Sequence, residues 1–142
     1  MMDERELQQL IKRCGNLKFK FKGVFAADNF PPLGKNTCQI VNASEASSRG
    51  THWTLICNRS NDIIFADPLG INLSFYQKIY RRMLTLYAKV TEILPGNPIQ
   101  PVNSNDCGLY CIYIAHCIFS KMFPKVPQIS QDALHRFVKH MQ

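Results

Sequence analysis

Apolar residues recur along this chain with two different periods, and the switches between them divide it into elements. In residues 3–13, Leu7, Leu10 and Ile11 fall at helical spacing, with acids early and bases late as the helix dipole prefers, and Gly15 stops the helix. Residues 17–25 then alternate. Lys18, Lys20 and Lys22 fall on one side and Leu17, Phe19, Phe21 and Gly23 on the other, which predicts a half-buried strand with a basic outer face. The Phe30-Pro31-Pro32-Leu33-Gly34 stretch reads as a loop, 37–41 as a short strand and 42–50 as a polar loop. Two apolar runs at 52–57 and 63–67 flank the turn formers of 58–62, so an antiparallel hairpin is expected, ended by Pro68 and Gly70. Residues 73–88 predict an amphipathic helix with Leu73, Tyr76, Ile79, Tyr80, Met83, Leu84 and Tyr87 inward. A strand at 90–94 and a turn at 95–98 follow, then a helix from Cys107 to about Met122 and a last helix over 130–141. Four to six strands, with helices at both ends and in the middle, give an α+β fold.

Length and charge narrow the picture further. The 142 residues suit one domain, 1–142, and the 46% hydrophobic content supports a real core. No apolar run reaches the roughly 18 residues of a membrane span, and the polar start is not a signal peptide, so an intracellular protein with no membrane partner is expected. Six cysteines lie mostly in apolar runs and read as free thiols. A net charge of +7 permits affinity for nucleic acid or an acidic partner.

The candidate chemistry gathers around Asn103-Ser104-Asn105-Asp106-Cys107-Gly108-Leu109-Tyr110-Cys111. A polar, turn-prone run ends in Cys107 and an apolar helical run follows, which places Cys107 in the first helical turn with Asn105 or Asp106 as N-cap. A thiol there feels the positive end of the helix dipole, which favours thiolate, and Gly108 leaves room for another backbone to approach. A core cysteine that merely begins a helix is the alternative for Cys107 alone. Folding the hairpin about Ser60 sets Asp67 across from His52 within about one residue, so the imidazole gains a carboxylate that can orient it as a general base. His116 lies nine residues beyond Cys107, about 900° of rotation on the same helix, and points away. His135 and His140 read as a solvated face of the last helix. Cys107 and Cys111 lack a second pair at ligand spacing, so no metal site is expected. Gln100, seven residues before Cys107, offers a side-chain amide that, with the Cys107 N–H, can meet a developing oxyanion.

The order His52-Trp53, Asp67-Pro68-Leu69-Gly70, Gln100 and Asn103 to Cys111 resembles the adenovirus protease (adenain) family. Further likenesses lie at Glu6-Leu7, Ile11-Lys12, Gly23, Asp28, Phe30-Pro31, Cys38 and Ile40-Val41-Asn42, and the resemblance runs from about residue 6 to about 122. It implies a papain-like cysteine protease core, a mostly antiparallel or mixed sheet flanked by helices. Carried over by position, it implies Cys107 as nucleophile, His52 as general base and then acid, Asp67 as its orienting group and Gln100 in the oxyanion hole. It further implies a monomeric endopeptidase that matures viral capsid and core precursors in the infected-cell nucleus and inside the virion. DNA serves that family as a cofactor, and Lys18, Lys20, Lys22, Arg81 and Arg82, with Lys121 and Lys125, are the residues here that could meet phosphates by charge. Asp67 stands where adenovirus enzymes carry Glu. Lys89 stands where they carry the cysteine that takes an activating viral peptide, so a noncovalent peptide is the form implied here. Proteases of ubiquitin-like (SUMO-type) modifiers share the His-Trp, Asp, Gln, Asp-Cys-Gly pattern and form a second reading. A catalytically silent, basic DNA-binding domain is a third.

Overall fold

The computed structural model describes residues 2–43 and 52–142. The polar loop expected at 42–50 therefore lies outside the described residues from 44 onward, while residue 42 closes a strand. Among the described residues five strands lie side by side in chain order: β1 (Phe21–Phe25), β2 (Thr37–Asn42), β3 (Trp53–Arg59), β4 (Asp62–Ala66) and β5 (Thr91–Ile93). The outer pairs are parallel and the inner pairs antiparallel, so the sheet is mixed. Four α-helices accompany it among the described residues: α1 (Glu4–Ile11), α2 (Gln77–Leu86), α3 (Cys107–Ile118) and α4 (Gln131–Met141). The α+β class expected from the patterning is the one observed.

Both faces of the sheet are covered, which explains why β2 to β4 read as continuous apolar runs rather than alternating ones. Cys38, Ile40, Leu55, Cys57, Ile64 and Ala66 face one core, shared with α1, α3 and α4. Their sequence neighbours Val41, Ile56, Ile63 and Phe65 face a second core with Phe30, Leu33, Ile79 and Met83. Polar groups trapped between these layers are tied to backbone. Thr54 Oγ1 donates to Val41 O at 2.8 Å, and Asn58 Nδ2 to Leu33 O at 3.1 Å. Helix α3 is apolar all round, and every residue in it except His116 is buried. Gly108 lets it sit close: a Cβ there would meet Leu7 Cδ1 at 3.1 Å and Trp53 Cδ1 at 3.5 Å, so side chains rather than a backbone fill the space beside Cys107.

The hairpin forms with a turn of only two residues, Ser60 and Asn61. Both have positive φ (52° and 75°), the geometry whose twist matches the flanking strands. Leu55 pairs with Ala66, one residue from the register expected by folding about Ser60.

Three expectations need correction. Residues 17–19 are not strand: the chain turns at Gly15 (φ +40°) into a 3-10 helix, Gly15–Phe19, and β1 begins only at Phe21. Leu17 and Phe21, four residues apart, are buried while Phe19 is 72% exposed. An alternating run thus satisfied a helical turn and a short strand in succession. The three lysines consequently do not share one face. The Lys20 ammonium lies 4.7 Å from the Phe119 ring centroid, and that of Lys18 lies 5.0 Å from Phe19. The helix expected over 73–88 is broken. A 3-10 turn, Leu73–Phe75, precedes α2, and the break at Tyr76 (φ −98°, ψ 79°) resets the helical phase and leaves Tyr80 and Leu84 exposed. The helix from Cys107 ends at Ile118, four residues short of Met122.

After β4 the chain turns at Pro68 to Gly70 and is bound back to the segment that leads into α3. Ile99 N and Gln100 N both donate to Pro68 O at 2.9 Å, and Gly96 N donates to Gly70 O at 2.9 Å. Gly70 has φ +70°, and a Cβ there would come within 2.9 Å of Pro98 N and 3.0 Å of Leu94 O, both backbone atoms that cannot yield. Gly70→Ala should destabilise the fold by more than about 1 kcal/mol, read as a lowered urea midpoint, because left-handed strain and the clash add.

Candidate active site

Helix α3 carries Cys107 at its first position, and its packing on β3 decides what the sulfur meets. Trp53 N donates to Cys107 Sγ at 3.4 Å, while the Cys111 thiol one turn later donates to Trp53 O at 3.4 Å. The first residue of β3 thus brackets both cysteines and holds the helix start in register with the strand. The Trp53 indole N–H in turn reaches Met2 O at 3.3 Å.

His52 directly precedes β3, and its carbonyl accepts Ala43 N–H at 2.8 Å beyond the end of β2. Its ring Nε2 lies 2.7 Å from Oδ1 of Asp67, the residue that follows β4. The imidazole also interacts with the Cys107 side chain. Asp67 is 1% exposed, and a carboxylate so placed needs donors on its oxygens. It has three: the His52 ring, Leu69 N at 2.8 Å and the Tyr76 hydroxyl on Oδ2. Burial alone would push the His52 pKa down. Hydrogen bonds to Asp67 and Cys107, with the negative charge of each, outweigh it and raise the value to about 9. Burial, followed by the bond to Asp67, pushes Tyr76 well up, so its phenol remains a donor.

Gln100 is 4% exposed and belongs to the same assembly. Its Nε2 donates to Ser104 O at 2.9 Å, which leaves a second amide hydrogen, and its backbone N is bound to Pro68 O. His52, Asp67 and Cys107 are therefore brought into direct contact, and Gln100 is tied to the turns on both sides of them.

The other expected contacts fare differently. Arg82 is engaged in the fold, its Nε donating to Phe30 O at 2.6 Å with the guanidinium 5.3 Å from that ring. Lys22 and Arg81 are exposed. His116 stacks edge-on against Phe137 at 5.0 Å, away from the sulfur. His135 lies on the exposed face expected for it, and there its Nε2 lies 2.9 Å from Asp106 Oδ2. Burial pushes the thiols of Cys14, Cys57, Cys111 and Cys117 up, so each stays protonated at neutral pH. Among the described residues no group of three His, Cys, Asp or Glu side chains could hold a metal ion, and no helix is long and apolar enough to cross a membrane.

Two partners escaped sequence reasoning. Tyr76 was placed on an inward helical face, when in fact it stands at the break before α2 with its hydroxyl on Asp67. Nothing local in the sequence signals that break. The Asp106–His135 contact joins residues 29 apart, one just before α3 and one in α4, and carries no sequence signature at all.

No family model matches the chain. A protease of bovine adenovirus 2 is 28% identical over 127 residues, covering 80% of this chain and 61% of its own length. A protease of bovine adenovirus C serotype 10 is 28% identical over 93 residues, covering 57% of this chain and 47% of its own. The chain thus spans less than two thirds of the length of these curated relatives. The crystal structure of an ASFV protease superposes with a TM-score of 0.43 at 13% identity, over 74% of this chain and 43% of that one. The likeness to adenovirus proteases extends over 127 residues, most of the chain.

The His52 environment makes a direct prediction. An NMR titration of its ring protons should give a midpoint near 9 that falls in Asp67→Asn and in Cys107→Ala. The folded value lies above the unfolded 6.5, so the stability this proton supplies is complete below about pH 6.5 and is lost as pH rises through about 9. Urea unfolding across that window should show the decline, and Asp67→Asn should flatten it.

Proposed function

We propose that this chain is a viral cysteine endopeptidase of the adenovirus protease kind, with Cys107, His52 and Asp67 as its catalytic residues and Gln100 in its oxyanion hole. The observation that carries the reading is a single imidazole bridging a buried carboxylate, at 2.7 Å, and a cysteine at the start of a buried helix. In this mechanism the Cys107 sulfur attacks the scissile carbonyl carbon while His52 holds the thiol's proton. Negative charge develops on the carbonyl oxygen, where the Cys107 N–H and the second amide hydrogen of Gln100 meet it. As the tetrahedral intermediate collapses, the C–N bond breaks and His52 gives its proton to the departing amine, leaving a thioester on Cys107. Water then loses a proton to His52 as its oxygen attacks the thioester carbonyl carbon, and the C–S bond breaks to release the acid and return the Cys107 sulfur. Asp67 keeps its charge throughout and orients the ring, itself held by Tyr76 and Leu69.

The substrates proposed are capsid and core precursor proteins, cut at Gly-containing sites in the infected-cell nucleus and in the particle. DNA and a noncovalent viral peptide are the cofactors proposed. With Arg82 bound to Phe30 O, the exposed Lys18, Lys22 and Arg81 are the groups proposed to meet phosphates.

Two measurements test this. Purified protein is offered Gly-containing capsid-precursor peptides, with and without DNA, and in parallel a ubiquitin-like modifier ending in diglycine. Cleavage of the capsid peptides should fall by about 10³-fold or more in Cys107→Ala and His52→Ala, and by about 10²-fold in Gln100→Ala. Cleavage of the modifier alone would shift the assignment to a modifier protease, and no cleavage of either would overturn a protease reading. DNA affinity should fall with salt at a log–log slope near −2 to −3, about 0.9 per phosphate neutralised, and a flat response would remove DNA as a cofactor.

A further inference from the structure

We propose that His135 is a positioning residue: it holds the Asp106 carboxylate off the start of α3 and so keeps a competing negative charge away from the oxyanion site beside Cys107. The inference rests on the cysteine-protease reading above.

Asp106 stands at the position where an aspartate ordinarily caps a helix. A capping residue has extended backbone, and its side chain accepts the N–H of the second or third helical residue. Two helices of this chain begin that way. Asp3 (φ −82°, ψ 176°) accepts Glu6 N at 2.8 Å, and Ser130 (φ −69°, ψ 158°) accepts Ala133 N at 3.1 Å. Asp106 departs from the pattern. Its φ of −97° and ψ of 25° lie in the sparsely populated bridge region, and its side chain makes no capping bond. Its Oδ2 lies instead 2.9 Å from His135 Nε2. The first intrahelical bond of α3 is Tyr110 N to Asp106 O at 2.9 Å, so the backbone N–H groups of residues 107–109 precede the helical ladder.

Helix α4 is built to place this imidazole. Leu134 and Val138 are buried on either side of His135, and the Phe137 ring meets Tyr113 of α3 edge-on at 5.4 Å. The pair itself is partly open to solvent, with side chains 56% (His135) and 25% (Asp106) exposed. Contacts so exposed contribute little stability. What this one does is decide direction. Released from His135, the carboxylate could swing onto the N–H groups of Gly108 and Leu109, beside the Cys107 N–H that the mechanism reserves for the oxyanion. Repulsion there acts only as charge develops on the substrate oxygen, so it lowers kcat and spares KM.

The test uses the full chain and a cleaved peptide. His135→Ala should lower kcat by about tenfold or more with KM within twofold, and His135→Gln, whose amide can still donate to Asp106, should recover most of it. The decisive comparison is the same His135→Ala change in an Asp106→Asn background, where the fall should shrink below twofold because the charge to be held away is gone. Lys139, which lines the same cavity as this pair, could take over the carboxylate, so the set is repeated with Lys139→Ala. A merely structural contact would give equal losses in both backgrounds, or a loss in thermal stability, and either result overturns the proposal. Amide hydrogen exchange supplies a readout that needs no activity. Gly108 and Leu109 should gain protection in His135→Ala and not in the double variant, and unchanged exchange in His135→Ala overturns the proposal. If wild-type protein and Cys107→Ala cleave alike, it is the protease reading that fails, whatever the exchange shows.

Discussion

A helix that is apolar on every side has no choice but to be buried, and α3 is such a helix. Only His116 among its residues escapes the interior. It lies against β3, and α1 and α4 close over it as part of the same core. Its start is then fixed to within a bond length or two, because Trp53 donates to Cys107 and accepts from Cys111 across the helix–strand seam. The positions of His52, one residue before Trp53, and of Asp67, across the hairpin, follow from that contact. A loosely packed α3 could still be a helix, but it could not hold a sulfur against an imidazole.

The second constraint is the charge on Asp67. A carboxylate at 1% exposure is tolerable only with its oxygens satisfied, and the three donors come from three different places: the strand opposite, the turn that follows β4, and the break before α2. Asp67 therefore joins the two cores of the protein. Tyr76 belongs to the α2 side and His52 to the α3 side, and the carboxylate is where they meet. The same arrangement explains the proton on His52. Burial works against it, yet the pull of Asp67 and Cys107 on the ring prevails. Gln100 is drawn in through Pro68, the residue after Asp67, so one short turn connects the buried carboxylate with the candidate oxyanion donor.

Much of this was legible in the sequence, for reasons that can be named. The hairpin was readable because turn formers fill 58–62 and the strands on either side are apolar. Its register came within one residue, close enough to pair His52 with Asp67. The helix start at Cys107 was readable because polar turn formers give way abruptly to apolar residues. The alternation at 17–25 misled because a period of two and a 3-10 turn both bury Leu17 and Phe21, and only the turn at Gly15 separates them. The basic face inferred from that alternation dissolved with it, since Lys20 turns to Phe119.

The sequence by itself determined the fold class, the order of the elements and the identity of the residues with chemistry to offer, because each depends on patterns within a dozen neighbouring positions. Only the tertiary structure decided which of those residues touch. The Tyr76 hydroxyl reaches Asp67 because a helix breaks where no local signal marks it, and His135 reaches Asp106 because α4 docks on α3 through buried Leu134 and Val138. Such contacts arise from the packing of whole elements, and the shape of a packed interior is a property of all its side chains together rather than of any one stretch of chain.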